Sequence, residues 1–354
     1  MEPRTRKTAS ILFIVISIAA VFIIAFGNEE LADSWHAVRQ MNGWWLAGVF
    51  ACWLVYTFFD GMNYWCYLRR QGFRISIGRA VNVALIGFYY SNITPAATGG
   101  QPMQVNSMRK AGIPVGYGTM AVTIRFITNQ TMICLISFAL YLLNRDFACQ
   151  KLSGAMWFVR IGWVINFAAV PLVLLAAFKR SWIQKTAEIL IGWLNRIHVI
   201  RNQDKAISRI TGVLDTYHSA FLDLMHTPGQ ILLQFACSTV SLLGHYFIVF
   251  CVYHAFGQSG TPWYQLLTLS SLLYISASYT PLPGASGAQE GGFMFYFNGI
   301  FLHGTIGLAL LIWRFFTFYL YLIVGVFTVL LEKIILRREK RKSQEGKRTG
   351  KEPV

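Results

Sequence analysis

Apolar runs recur along the chain at residues 10–26, 44–67, 117–143, 157–178, 230–256 and 305–331. About 20 apolar residues carry a helix across the hydrocarbon core of a bilayer, so this pattern predicts six spanning helices. Two more apolar segments, 80–100 and 263–300, differ in kind, because each is interrupted midway by a Pro- and Gly-rich break. Residues 181–225 are amphipathic instead. Trp182, Ile183, Ile189, Leu190, Trp193, Leu194 and Ile197 recur near helical spacing among Lys and Arg, and Ile207, Ile210, Val213, Leu214, Tyr217, Phe221 and Leu224 repeat the pattern. One or two interfacial helices connecting two halves of the chain fit this.

Composition removes the alternative of a soluble protein. Apolar residues make up 55% of the 354 and charged residues 13%, about half the usual charged share. The net charge of +16, from 31 Lys+Arg against 15 Asp+Glu, would suggest nucleic acid on a soluble chain. Here the basic residues sit at the ends and in connectors, as the positive-inside rule and anionic lipid require. The six Cys lie mostly within apolar stretches without a CxxC pair and read as packing residues.

Charge then sets the topology. The terminus with Arg4, Arg6 and Lys7 and the tail from Lys333 onward are basic and should both be cytoplasmic. No A-x-A-like site precedes Gly27, so the first run reads as a retained span rather than a signal peptide. Arg69, Arg70, Arg74 and Arg79 precede the first broken segment and Arg109 and Lys110 follow it. Both groups belong inside, so this segment should enter from the cytoplasm and return to it; by the same walk, 263–300 should enter and leave from the outside. The expected architecture is an all-α polytopic membrane protein of about six spans plus two re-entrant broken-helix hairpins. Its parts are a basic terminus (1–9), a first membrane repeat (10–143, break at 92–102), a second (157–332, connector 180–228, break at 280–292) and a basic tail (333–354).

The two breaks resemble each other. One reads Thr94-Pro95-Ala96-Ala97-Thr98-Gly99-Gly100-Gln101; the other runs from Thr280-Pro281 through Gly284, Ser286 and Gly287 to Gln289-Glu290. Arg125-Phe126-Ile127-Thr128 follows the first Gln by 24 residues (125 − 101), and Arg314-Phe315-Phe316-Thr317 follows the second by 25 (314 − 289). With hairpins entering from opposite faces, the halves are expected to be inverted repeats, a transporter architecture whose site lies at the repeat interface near mid-membrane.

Asp60, Arg125, Glu290 and Arg314 are ionisable residues deep in apolar stretches. Each costs about 2.5–3.5 kcal/mol or more on insertion scales, so each should face the interior and find a partner. An acid–Arg pair that merely fastens helices satisfies that demand. So does a phosphate held by both guanidiniums, whose forks match paired oxygens. Helix restarts after the breaks add N–H donors, with Gly99, Gly100 and Gly287 permitting close approach and Thr94, Thr98, Thr280 and Ser286 offering hydroxyls. The candidate headgroup site is thus Arg125, Arg314, Thr94, Thr98, Gly99, Gly100, Gln101, Thr280, Ser286, Gly287, Gln289 and Glu290. No HExxH, Walker A loop or GxSxG is present, so no metal, cofactor or catalytic residue is assigned.

These two breaks, the second above all, resemble the lysylphosphatidylglycerol synthase transmembrane family over roughly residues 8 to 335. This is the flippase-like membrane domain of multiple peptide resistance factor proteins, also found as stand-alone bacterial membrane proteins. The resemblance implies a phospholipid substrate, such as aminoacylated phosphatidylglycerol or a polyprenyl-phosphate lipid, moved between leaflets of a bacterial plasma membrane. In full-length relatives a carboxy-terminal soluble domain transfers lysine or alanine from aminoacyl-tRNA to phosphatidylglycerol; here a charged tail ending at Val354 stands where that domain would follow. The alternatives are the membrane component of a phosphatidylglycerol lysyltransferase working with a separate soluble synthase, the reading under which tRNA would be a partner, or a secondary transporter of a small phosphorylated solute.

Overall fold

The computed structural model describes residues 39, 41–178, 203–302 and 304–348. The first predicted span and the connector's first half lie outside these residues, as do the ends of both basic termini. Within them the chain is all-helical. Helices α1 (Gly43–Arg70), α4 (Val115–Leu143), α6 (Met156–Phe178) and α8 (Pro228–Ala255) are long and apolar enough to cross a membrane. So is the continuous stretch Ile306–Ile334, built from α11 (Ile306–Arg314), a π-helical turn (Phe315–Tyr319) and the start of α12 (Leu320–Arg348). These match five of the six predicted spans. Outward-facing Val164, Phe167, Leu232 and Phe327 are exposed, as expected where lipid rather than protein covers the helix.

Each broken segment is helix, break, helix. The first comprises α2 (Ile77–Ile93), a short 3-10 turn (Pro95–Ala97) and α3 (Gly100–Lys110). The second comprises α9 (Trp263–Ala277), a 3-10 turn (Pro283–Ala285) and α10 (Ala288–Tyr296). A short α5 (Arg145–Lys151) follows α4, and α7 (Gln203–Met225) is the second half of the connector.

The spine is the packing of α1 on α8. Gln234 donates to the Asn63 carbonyl at 2.9 Å, Ser241 to the Tyr56 carbonyl at 2.9 Å, and the Cys52 and Cys251 sulfurs are 3.8 Å apart. Rising numbers on one helix meet falling numbers on the other, so the two run antiparallel. Small residues permit the approach: a Cβ on Gly244 would lie 3.1 Å from the Cys52 carbonyl oxygen. All described cysteines are free thiols.

Two apolar clusters occupy different parts of the bundle. One gathers Tyr64, Tyr67 and Leu68 of α1 with Ile75, Met108, Ile113 and Met120, residues that flank or end the first broken segment. Tyr217, Phe221 and Leu224 of α7 join it, so the last turns of this helix pack part of their apolar face on the protein. The other gathers Val49 of α1 with Ile133, Val252, Leu266, Phe297 and Phe301, which begin and end the second broken segment.

α6 and α9 touch at Gly162, where an added Cβ would lie 2.4 Å from the Ile275 carbonyl oxygen. Gly162→Ala should therefore destabilise the protein by about 1–3 kcal/mol, the usual cost of overpacking. Gly78→Ala, with nothing within 4 Å of its Cβ, should leave the thermal unfolding temperature in detergent unchanged.

Candidate functional site

Proline ends a helix, and in both breaks it is followed by two residues in the left-handed region. Pro95 precedes Ala96 (φ 50°) and Ala97 (φ 55°); Pro283 precedes Gly284 (φ 61°) and Ala285 (φ 50°). L-residues rarely adopt this conformation, at a cost of roughly 1–2 kcal/mol each. In each break a hydroxyl locks the turn: Thr98 Oγ1 donates to the Pro95 carbonyl at 3.0 Å, and Ser286 Oγ to the Pro283 carbonyl at 2.9 Å. Pro95 thus corresponds to Pro283, Thr98 to Ser286 and Gln101 to Gln289. Thr94-Pro95 aligns with Leu282-Pro283, two residues past the Thr280-Pro281 that the sequence pairs with it. The two breaks also touch, since the Ala96 N–H donates to the Pro281 carbonyl at 2.8 Å.

The ionisable residues form two pairs. Arg125 on α4 directs Nε to Oδ1 of Asp60 on α1 at 2.7 Å, with Nη2 closing on the same oxygen. Asp60 is 1% exposed, as an ionisable residue deep in an apolar run must be once it has found a partner. Arg314 directs Nε to Oε1 of Glu290 at 2.6 Å and Nη2 to the Gly284 carbonyl at 2.9 Å, with the Phe318 ring 4.7 Å from its guanidinium. It braces its own break, whereas Arg125 reaches a neighbouring span. The π-helical turn directly after Arg314 is a distortion found often at functional sites.

Between the two breaks lies a cavity of about 970 Å³, near the upper end of the ~300–1,000 Å³ typical of small-molecule sites. Arg125, Arg314, Thr98, Gln101, Thr280 and Gln289 line it, so the structure brings six of the twelve predicted site residues to one wall. The Arg125 side chain is 18% exposed and that of Arg314 is 4%, which makes Arg125 the more available guanidinium. Ala96, Thr98 and Gln101 of the first break and Leu282 of the second line the cavity and are exposed, so the cavity opens beside the breaks.

The remaining six serve the breaks themselves. Thr94 donates to the Tyr90 carbonyl at 2.6 Å and accepts from the Gly99 N–H at 2.9 Å. Added Cβ atoms at Gly99 and Gly100 would lie 2.6 Å from Thr94 Cγ2 and 2.1 Å from Ser91 Oγ; these glycines admit their own chain, not a ligand. Ser286 lies 3.5 Å from Arg314 Nη2. Glu290, 1% exposed, accepts from the Gly287 N–H at 2.6 Å through its second oxygen. The N–H groups of Gly99 and Gly287, both helix N-caps, are therefore occupied by the chain. Gly287 borders a separate cavity of about 460 Å³ with Gly154, Phe158 and Phe295.

Several wall residues carry no motif. Gln130 donates to Asn166, which donates to Ser278 Oγ at 2.7 Å, tying α4, α6 and α9 together beside the cavity. Asn129, Tyr56, His245 and Tyr274 also line it, and the His245 ring centroid lies 5.0 Å from that of Tyr56 and 5.1 Å from that of Tyr274. The available signal was amides within apolar spans (Asn129, Gln130, Asn166), which carry the same burial cost as charges on a smaller scale.

A family model described as the lysylphosphatidylglycerol synthase TM region matches residues 10–325. A UPF0104 membrane protein of Archaeoglobus fulgidus is 22% identical over 328 residues, covering 89% of this chain and 94% of its own length. With a match over most of the chain, including both breaks and both arginines, this multi-pass membrane protein belongs to the lysylphosphatidylglycerol synthase transmembrane-region family.

Proposed function

We propose that the protein moves a phosphate-bearing lipid between leaflets of a bacterial plasma membrane, passing the headgroup through the cavity while the acyl chains stay in the bilayer. One observation carries this reading: among the described residues, one cavity is lined by both helix breaks and by both arginines. Irregular backbone survives at membrane depth only inside protein or beside a water-filled cavity, and headgroup desolvation is the main barrier to lipid transfer. The Arg125 guanidinium at the cavity wall supplies the phosphate site.

The frame for this is a pair of inverted repeats with re-entrant hairpins entering from opposite faces, both termini cytoplasmic. The matching break geometry, the antiparallel α1 and α8, and the separate clusters that hold the two hairpin bases all favour it. Cysteines introduced at Arg74 and Arg109, which flank the first hairpin, should label from one compartment only. Ser259→Cys and Asn298→Cys, which flank the second, should label from the other. Opposite-side labelling within either pair would make that hairpin a spanning element and defeat the frame.

The ion pairs decide which variants test transfer. Arg125→Ala strands Asp60 in an apolar slab and should cost about 3–5 kcal/mol of stability, as removal of one partner of a buried pair does. The double variant Asp60→Asn/Arg125→Gln removes both charges and should stay folded. In proteoliposomes it should slow headgroup transfer about ten- to hundredfold, the worth of one charge-assisted contact. Full transfer by the folded double variant would remove Arg125 from the mechanism.

A further inference from the structure

Helices α1 and α8 are each 28 residues long, and their cysteines stand at matching positions. Cys52 and Cys66 are the tenth and twenty-fourth residues of α1; Cys237 and Cys251 are the tenth and twenty-fourth of α8. Both spacings are 14 residues (66 − 52 and 251 − 237), close to four full turns at about 3.6 residues per turn. Each helix therefore turns both of its thiols to one side, and antiparallel packing brings the two sets together as crossed pairs. The Cys52 and Cys251 sulfurs are 3.8 Å apart, and the Cys66 thiol meets that of Cys237.

The two pairs differ in access. Cys66, Cys237 and Cys251 are 7%, 5% and 6% exposed, whereas Cys52 is only half-buried. Cys52–Cys251 thus joins a reachable thiol to an enclosed one, the arrangement of an attacking and a resolving cysteine. Cys66–Cys237 offers no such starting point. The backbone approach also suits a bond. One turn before Cys52, a Cβ added at Gly48 would lie 3.8 Å from Cys251 Cβ, inside the about 3.5–4.5 Å that separates the Cβ atoms of a disulfide. Glycine or alanine serves for close helix packing alone, but neither can bond across the crossing.

We propose that Cys52 and Cys251 are a redox site that closes to a disulfide between α1 and α8, while Cys66–Cys237 stays a reduced packing pair. The thiols lie within apolar spans, so the fitting oxidant is one that partitions into lipid, a quinone. Cys52 adds to the quinone ring and passes its proton to a carbonyl oxygen. Cys251 then attacks the Cys52 sulfur; the S–S bond forms as the S–C bond breaks. The electron pair left on the ring and the second thiol proton complete a hydroquinone, so the thiols lose two electrons and the quinone gains them. The bond would staple the two spine helices beside the cavity, whose wall takes Tyr56 from α1 and His245 from α8. The assignment stands apart from the translocation reading, since it needs only the α1–α8 crossing.

The test treats the full chain in lipid nanodiscs with decylubiquinone, then unfolds it and counts alkylatable thiols by mass spectrometry. The chain has six cysteines, so the count should fall from six to four (6 − 2), with a non-reduced peptide linking Cys52 to Cys251. Dithiothreitol should restore six. The oxidised protein should unfold at a temperature several degrees higher, because the bond joins positions 199 residues apart. Cys52→Ala should hold five thiols through the treatment and show no thermal shift, whereas Cys66→Ala should fall from five to three. Six thiols remaining, a stable quinone adduct on Cys52, or a Cys66–Cys237 link formed as readily would each overturn the assignment.

Discussion

A guanidinium inside an apolar slab must be neutralised where it stands, and much of this protein's interior follows from doing so twice. Arg125 finds Asp60 on a neighbouring span, and Arg314 finds Glu290 one turn into the helix that restarts after the second break. The two solutions differ in consequence. Arg314 is enclosed, and its second nitrogen holds the strained turn at Gly284 in place. Arg125 keeps part of its surface on the cavity. The pseudo-symmetric positions of the sequence thus divide the labour: one arginine maintains the break, and the other is presented to whatever enters.

The breaks impose the second constraint. Their left-handed residues, Ala96, Ala97, Gly284 and Ala285, are tolerated because each turn is closed by its own hydroxyl and because the first break is hydrogen-bonded to the second. That contact places two irregular segments against one cavity, where polar backbone can be met by water or ligand rather than by lipid. The glycines flanking the first break are close-packing devices for the helices that cross there. A role for them in ligand contact, natural to infer from a Gly-Gly pair beside a helix start, gives way to a steric one.

Much of this architecture is written in the chain. Spans are legible because the bilayer demands long uninterrupted apolar runs, and the breaks are legible because Pro and Gly interrupt two such runs. Four intramembrane ionisable residues announce themselves by cost alone, and the nearly equal spacing from Gln to Arg, 24 and 25 residues, pairs the two breaks. What escapes is register and partnership. Thr-Pro occurs at Thr94 and again at Thr280, but the shared turn places Pro283 opposite Pro95, because left-handed geometry follows the residues after the proline and not the dipeptide. The partner of Arg125 lies 65 positions away, a distance set by packing of α1 on α4 that periodicity does not encode. Uncharged wall residues such as Asn129, His245 and Tyr274 have no spacing rule at all; tertiary structure alone converges them.

Membership of the family supports a membrane protein; the cavity supports a ligand with a phosphate. The claim that joins them is that a lipid headgroup occupies the space between the two breaks, and a density map of the protein in lipid nanodiscs tests it most directly. The account predicts headgroup density inside the cavity, with its phosphate within hydrogen-bonding reach of Arg125 and acyl chains leading out beside the first break. Ordered lipid confined to the outer faces of the helices, around a cavity holding only water, would contradict it.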